Sequence, residues 1–381
     1  MSNNTKKVII FTLPDFRGGG AERVFLNLIN NIDRDFFDIH VVVGKFKGEY
    51  CTNLKKDISI HELSCVGSIA CIPRMLRVVQ SIKPDIVIST LGFVVTMSII
   101  SHLLPKRIKI ISRFGNTISS FLQDIKKSSQ LKYYLQYMLN RLVIHSSDVV
   151  IVQSDHMMRD LVQVFSLKNR SIRKIIKINN PVDCKGLNSA SQLEKIPLSI
   201  KSFVESSFVF VSVGRLESQK NYEDLLKSFK IVHNSCPKSK LLILGEGSCR
   251  SDLNKLISNL SIGTFVLMPG FVANTEAAVH ISNFFVSSSL YEGTSNAILE
   301  SLALGIPVIA TDCPSGIREV VHDGDNGFLV NIQGDTVKNL AEKMLFAYNN
   351  KNSLNTSNIK KIVQENFDIH HIVGKYERMF D

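Results

Sequence analysis

The run from Phe284 to Asp312 constrains this chain more than any other stretch, because it reads as strand, turn, helix and strand in quick succession. Phe284-Phe285-Val286 is a short apolar run of the kind that forms a buried strand, and Ser287-Ser288-Ser289 ends it. Ile298, Leu299, Leu302 and Ala303 then recur at helical spacing, which predicts a helix over about 295–304. Gly305 stops that helix and Pro307 opens a strand running to Ala310. Two glutamates lie in this unit: Glu292 on the loop, and Glu300 between one and two turns into the helix, so both can face one ligand at different depths. Between them Gly293-Thr294-Ser295-Asn296 forms an exposed helix N-terminus whose free amides and dipole suit a phosphate.

The rest of the chain repeats the alternation. Val8–Leu13, Ile39–Val43, Ile58–Leu63, Ile86–Ser89, Ile108–Ser112 and Val149–Gln153 read as strands, with helical patterns between them from Ala21 to Asn30, Ile72 to Ile82 and Val94 to Leu103. A second alternating set begins at Phe208–Val213 and continues through Lys240–Leu244 and Thr264–Met268. Such βα alternation predicts an α/β fold of doubly wound parallel sheets, whose ligands sit beyond the carboxyl ends of the strands. With 381 residues there is room for two domains, each with its own core.

Several strand ends carry chemistry. Three consecutive glycines, Gly18 to Gly20, follow the first strand and let backbone pass close to a ligand. Val213-Gly214-Arg215-Leu216-Glu217-Ser218-Gln219-Lys220-Asn221 follows the first strand of the second half, where Arg215 and Lys220 could meet an anion or be plain surface charges. Gly245-Glu246-Gly247 is another strand-end turn, but Arg250 replaces the third glycine of a dinucleotide fingerprint, which argues against a nicotinamide-dependent oxidoreductase. Asp323-Gly324-Asp325, beside Asn326-Gly327, reads as a turn rather than a metal-binding pair.

With these residues in view, the chain resembles the retaining glycosyltransferases of family 4, which share the two-domain GT-B fold. The resemblance rests on Glu292-x7-Glu300 within E-G-T-S-N-A-I-L-E-S-L-A-L-G-I-P-V-I-A, on G-R-L-x-x-x-K-N at 214–221 and on G-G-A-E-R at 19–23. It implies GT-B architecture: two Rossmann-like doubly wound parallel-sheet domains facing a cleft. It also implies an acceptor-side domain over 1–183, a nucleotide-sugar domain over 184–360 and a final helix, 361–381, crossing back to the first domain, with Ile178–Asp183 as the linker. Arg215 and Lys220 would then neutralise the leaving diphosphate, Glu292 would contact the transferred sugar and Glu300 the ribose. Amides of Thr294, Ser295 and Asn296 would lie near the phosphate, Gly270 and Phe271 near the base, and Gly19 and Gly20 near the diphosphate. On the acceptor side the resemblance leaves Arg113 and Asn116. No general base is evident, since the departing phosphate can help deprotonate the incoming hydroxyl, and no metal or other cofactor is expected. The implied partners are a nucleotide diphosphate sugar, a UDP-sugar as the family-weighted choice, and a lipid-linked or oligosaccharide acceptor of bacterial surface polysaccharide assembly. A soluble sugar acceptor, or a non-catalytic glycan-binding role, is the alternative.

Charge and cysteines bear on location. The net charge of +11 is uneven: residues 1–185 hold 27 Lys and Arg against 14 Asp and Glu, net +13, and the remainder is net −2. No nucleic-acid motif accompanies it, so nucleic acid is not an expected partner. Ser119 to Ser147 mixes Lys126, Lys127, Lys132 and Arg141 with Phe121, Leu122, Tyr133, Tyr134, Tyr137 and Met138. That mixture suits an anionic membrane surface, or equally a helix packed on its own domain with solvated lysines. Seven scattered cysteines without a C-x-x-C pair, and a polar start without a signal peptide, predict reduced thiols and a cytoplasmic protein peripheral to the membrane.

Overall fold

In the computed structural model, which describes residues 6–187, 196–272, 274–350 and 354–380, thirteen strands form two wholly parallel sheets. The first contains β1 (Lys7–Leu13), β2 (Phe37–Val43), β3 (Ser59–Glu62), β4 (Ile86–Thr90), β5 (Lys109–Arg113), β6 (Val149–Val152) and β7 (Ile175–Lys177), in the order β3-β2-β1-β4-β5-β6-β7. The second contains β8 (Phe208–Val213), β9 (Ser239–Leu244), β10 (Val266–Gly270), β11 (Phe284–Ser287), β12 (Val308–Thr311) and β13 (Gly327–Val330), in the order β10-β9-β8-β11-β12-β13. Central strands such as β4 and β12 are buried at every residue, which is why they read as continuous apolar runs rather than alternating ones. The order reverses between β1 and β4 in one sheet and between β8 and β11 in the other, and a doubly wound sheet opens its binding crevice at such a reversal.

The chain divides into two units, Met1–Pro181 with Ile369–Asp381, and Val182–Asp368. The break near the linker falls within Ile178–Asp183. At the other end the second unit runs to Asp368 rather than 360, because helix Thr356–Phe367 buries Ile359, Val363 and Phe367 in that unit's core. Helix Ile369–Phe380 belongs to the first unit, where Ile369, Ile372, Val373, Tyr376 and Phe380 join the cluster around Phe11, Phe25 and Phe37. The stretch from Thr336 to Phe380 holds three helices, and the last starts at Ile369 rather than 361, where the chain turns at Asp368 with ψ of 138°.

Two further expectations are corrected. Cys65 and Cys71 are disulfide-bonded, not reduced; the turn 65–71 returns the chain to Cys71 at the start of helix Ile72–Ile82 and brings the two Cα atoms within 5.7 Å. The other five cysteines form no disulfide. Strand β7, absent from the sequence reading, is only three residues long, too short to show a periodic signal. Among the described residues, no helix is long and apolar enough to cross a membrane.

Candidate active site

The candidate site lies in the second unit, at the carboxyl ends of β8 and β11. The segment after β8 ends in Asn221, whose φ of 50° is left-handed, a conformation that asparagine tolerates better than most residues. Its side chain donates to Asp224 Oδ2 at 2.7 Å, and the reversal aims Lys220 back across the strand ends as helix Tyr222–Ser235 begins. The loop after β11 is tied on both flanks. Leu290 N donates to the Gln219 carbonyl at 2.8 Å, Gln219 Nε2 to the Tyr291 carbonyl at 2.8 Å, and Ser288 Oγ to the Lys220 carbonyl at 2.8 Å. On the other flank Thr311 Oγ1 donates to the Ser289 carbonyl at 2.6 Å and Gly316 N to the Gly293 carbonyl at 3.0 Å.

That bracing brings Lys220 Nζ onto Glu292 Oε1 as an ion pair, and Ser289 Oγ donates to the same oxygen at 2.9 Å. Both charged side chains are largely shielded, at 19% and 13% exposure. Beside them helix Asn296–Ala303 begins at Ser295, whose side chain makes no capping hydrogen bond. The helix N-terminus opens onto a pocket lined by Glu292, Gly293, Thr294, Ser295, Cys313 and Ser315 among others. A second, polar pocket adjoins it, with Lys220, Tyr222, Ser288 and Ser289 in its wall; the two share Ser287 and Ser295. Burial pushes the Cys313 thiol up to about 11 and raises the Tyr222 phenol strongly, and the Glu292 charge adds to both. Both groups are therefore neutral hydrogen-bonding groups at ordinary pH.

Three glycine turns close the neighbouring strand ends. Gly214 N donates to the Leu244 carbonyl at 3.0 Å, Leu216 N to the Glu246 carbonyl at 2.8 Å and Gly245 N to the Gly270 carbonyl at 2.9 Å. Gly245 has φ of 142°, and a Cβ there would overlap the Gly214 carbonyl oxygen, so only glycine fits. Arg250, at the position where a dinucleotide fingerprint has glycine, donates to Glu246 Oε1 and to the Met268 carbonyl, each at 2.8 Å, and holds this turn against β10. Arg215 is exposed beside the turn, Gly270 is buried with φ of 96°, and Phe271 is exposed.

The structure thus gathers Arg215, Lys220, Gly270, Phe271, Glu292, Thr294, Ser295, Asn296 and the half-buried Glu300 into one unit, along the ends of β8, β10 and β11. In the first unit Gly19 is the residue before helix Gly20–Asn31, at the carboxyl end of β1. Asn116 is half-buried beyond β5. Arg113 is not an open acceptor contact: it is 2% exposed, and its Nη2 donates to Asn180 Oδ1 at 2.5 Å. Its place at the end of an apolar strand was legible, but its burial under helix Ile369–Phe380 depends on a segment more than 250 residues away. Tyr222, Ser289 and Cys313 were missed, since only the serine run at 287–289 hinted at a polar strand end. Asp323-Gly324-Asp325 is a turn, with Gly324 at φ of 83° and Asp323 Oδ1 accepting from Leu329 N at 2.7 Å. Among the described residues no three His, Cys, Asp or Glu side chains converge as a metal cage.

Known proteins carry the same architecture. A family model described as Glycosyltransferase Family 4 matches residues 18–185, and one described as Glycosyl transferases group 1 matches residues 198–362. An uncharacterized glycosyltransferase of Methanocaldococcus jannaschii is 34% identical over 260 residues, 65% of this chain and 60% of that relative. The N-acetylgalactosamine-N,N'-diacetylbacillosaminyl-diphospho-undecaprenol 4-alpha-N-acetylgalactosaminyltransferase of Campylobacter jejuni is 29% identical over 349 residues, 87% of this chain and 90% of its own length. The crystal structure of HepE from Anabaena in complex with UDP and glucose superposes with a TM-score of 0.80 at 20% identity, covering 98% of this chain and 99% of that one. The two family models, each on its own parallel-sheet unit, and the whole-length match in structure lead to one conclusion: this chain belongs to glycosyltransferase family 4 and has the GT-B fold.

Proposed function

We propose that the chain is a retaining glycosyltransferase that moves a sugar from a UDP-sugar to a growing, lipid-linked glycan in bacterial surface polysaccharide assembly. The observation that carries this reading is the Lys220–Glu292 ion pair beside the helix N-terminus at Ser295, on two adjoining pockets at the carboxyl ends of β8 and β11. The diphosphate gathers negative charge as it leaves. Arg215 and Lys220 neutralise it together with the amides of Thr294, Ser295 and Asn296, without a metal ion. Glu292 moves from Lys220 to the transferred sugar, Glu300 accepts from the ribose hydroxyls, and Gly270 with Phe271 borders the base. The leaving phosphate takes the proton of the acceptor hydroxyl on the same face of the sugar, which retains the configuration. Asn116 remains as the acceptor-side candidate, whereas Arg113 is withdrawn because it is buried.

The UDP choice is supported by HepE, solved with UDP and glucose, and the lipid-linked acceptor by the diphospho-undecaprenol in the Campylobacter relative's name. The excess of positive charge in residues 1–185 supports work at an anionic membrane surface. Thermal shift against UDP, GDP and ADP tests the donor. UDP at 100 times its dissociation constant should add about 2.7 kcal/mol of apparent stability to the wild type and none to Glu300→Ala. A folded wild type that responds to no nucleotide would overturn the reading.

A further inference from the structure

Helix Gln130–Ser146 is apolar on two opposite sides. One side packs inward: Val143 and Ile144 are buried, and Tyr133, Tyr137 and Leu139 lie against the same cluster. The other side carries Leu131, Tyr134, Leu135 and Met138 at 80%, 57%, 58% and 59% exposure. Their spacing of i, i+3, i+4 and i+7 puts them in one stripe. A helix packed merely on its own domain would turn a polar face outward.

Cations surround the stripe. Lys126 and Lys127 end the preceding helix, Ile118–Ser128, and Lys132 and Arg141 stand exposed on the helix itself. Asp124 is the one carboxylate between Ile118 and Ser146, and Lys127 already engages it at 2.8 Å. We propose that this stripe is the face by which the chain docks on an anionic lipid bilayer. Leu131, Leu135 and Met138 enter the acyl boundary, Tyr134 sits at headgroup level, and Lys126, Lys127, Lys132 and Arg141 meet the lipid phosphates. A second copy of the chain fits the stripe poorly, because pairing two of them would face these cations with their own counterparts. The inference rests on the membrane reading above and names the surface that serves it.

Flotation with phosphatidylcholine vesicles, with and without phosphatidylglycerol, tests it on the full chain. The wild type should float with the anionic vesicles at low salt and be released by high salt. Leu135→Glu combined with Met138→Glu, and separately Lys126→Glu with Lys127→Glu and Lys132→Glu, should each lower the bound fraction about tenfold or more. The UDP-induced thermal shift should be unchanged in both, since these residues are exposed and lie outside the donor site. Failure of the wild type to float, variants that float as well as it does, or a wild-type dimer that the stripe variants dissolve would each overturn the proposal. Docking and acceptor choice separate cleanly. Flotation through the stripe with transfer only to a water-soluble acceptor sinks the lipid-linked acceptor alone, and transfer to lipid acceptor undiminished in the variants sinks the docking face alone.

Discussion

Lys220 and Glu292, 72 residues apart in sequence, form an ion pair across the carboxyl ends of β8 and β11, with Ser289 donating to the same carboxylate oxygen. The lysine is thus held in place across the strand ends, as the proposed role at a leaving diphosphate requires. Removing either partner strands a shielded charge. Lys220→Ala should lower kcat about 10²- to 10³-fold, the range typical of a lost charge stabiliser. In urea titrations each single variant should lose about 1–3 kcal/mol, and Lys220→Ala with Glu292→Ala should lose less than the sum. Additive losses would mean the pair is not coupled in solution.

Cys313 sets a sign for alkaline stability. Burial pushes its thiol from 9.0 up to about 11, so the folded chain holds this proton more tightly than the unfolded one. The associated stability is present in full below about pH 9 and is lost as pH rises through about 11. Two pKa units correspond to about 2–3 kcal/mol. Wild type should therefore lose more stability than Cys313→Ala over that window, and parallel slopes would remove the thiol as the cause.

Arg113 is a buried cation whose Nε and Nη1 have no hydrogen-bond partner, and burial, the dominant influence, pulls its pKa below the ordinary value. Such a charge is costly to keep, so Arg113→Met should change stability by less than about 1 kcal/mol or raise it. Asn180→Ala removes the acceptor at 2.5 Å and should cost about 1–3 kcal/mol. Chemical denaturation of both variants decides it: a large loss in Arg113→Met would mean the guanidinium is better satisfied than its contacts indicate.

Helix Ile369–Phe380 completes the first unit's core. Five of its side chains are buried there, worth together about 10 kcal/mol at roughly 2 kcal/mol each. That rivals the whole stability of an ordinary domain, about 5–15 kcal/mol. A chain ending after Asp368 should be recovered insoluble, or with its first unit unfolded by hydrogen exchange and its second still protected. A soluble truncation with both units protected would contradict this packing.

Local pattern was enough for much of this protein. Continuous apolar runs such as Ile86–Ser89 and Val308–Ala310 announced buried parallel strands. Helical spacing at Ile298, Leu299, Leu302 and Ala303, closed by Gly305, bounded the site helix to within one or two residues. The glutamates, the G-R-L-x-x-x-K-N segment and the strand-end glycines were also visible, because each is a short contiguous signal. Tertiary structure alone decided what those residues meet. It paired Lys220 with Glu292 and buried Arg113 beneath helix Ile369–Phe380. It also joined Cys65 to Cys71, and turned Leu131, Leu135 and Met138 outward while Val143 and Ile144 went in. Apart from the disulfide, which closes a local turn between residues six apart, the physical reason is common: periodicity and turn chemistry are set by neighbours along the chain, but contact, burial and charge pairing are set by where distant segments come to rest.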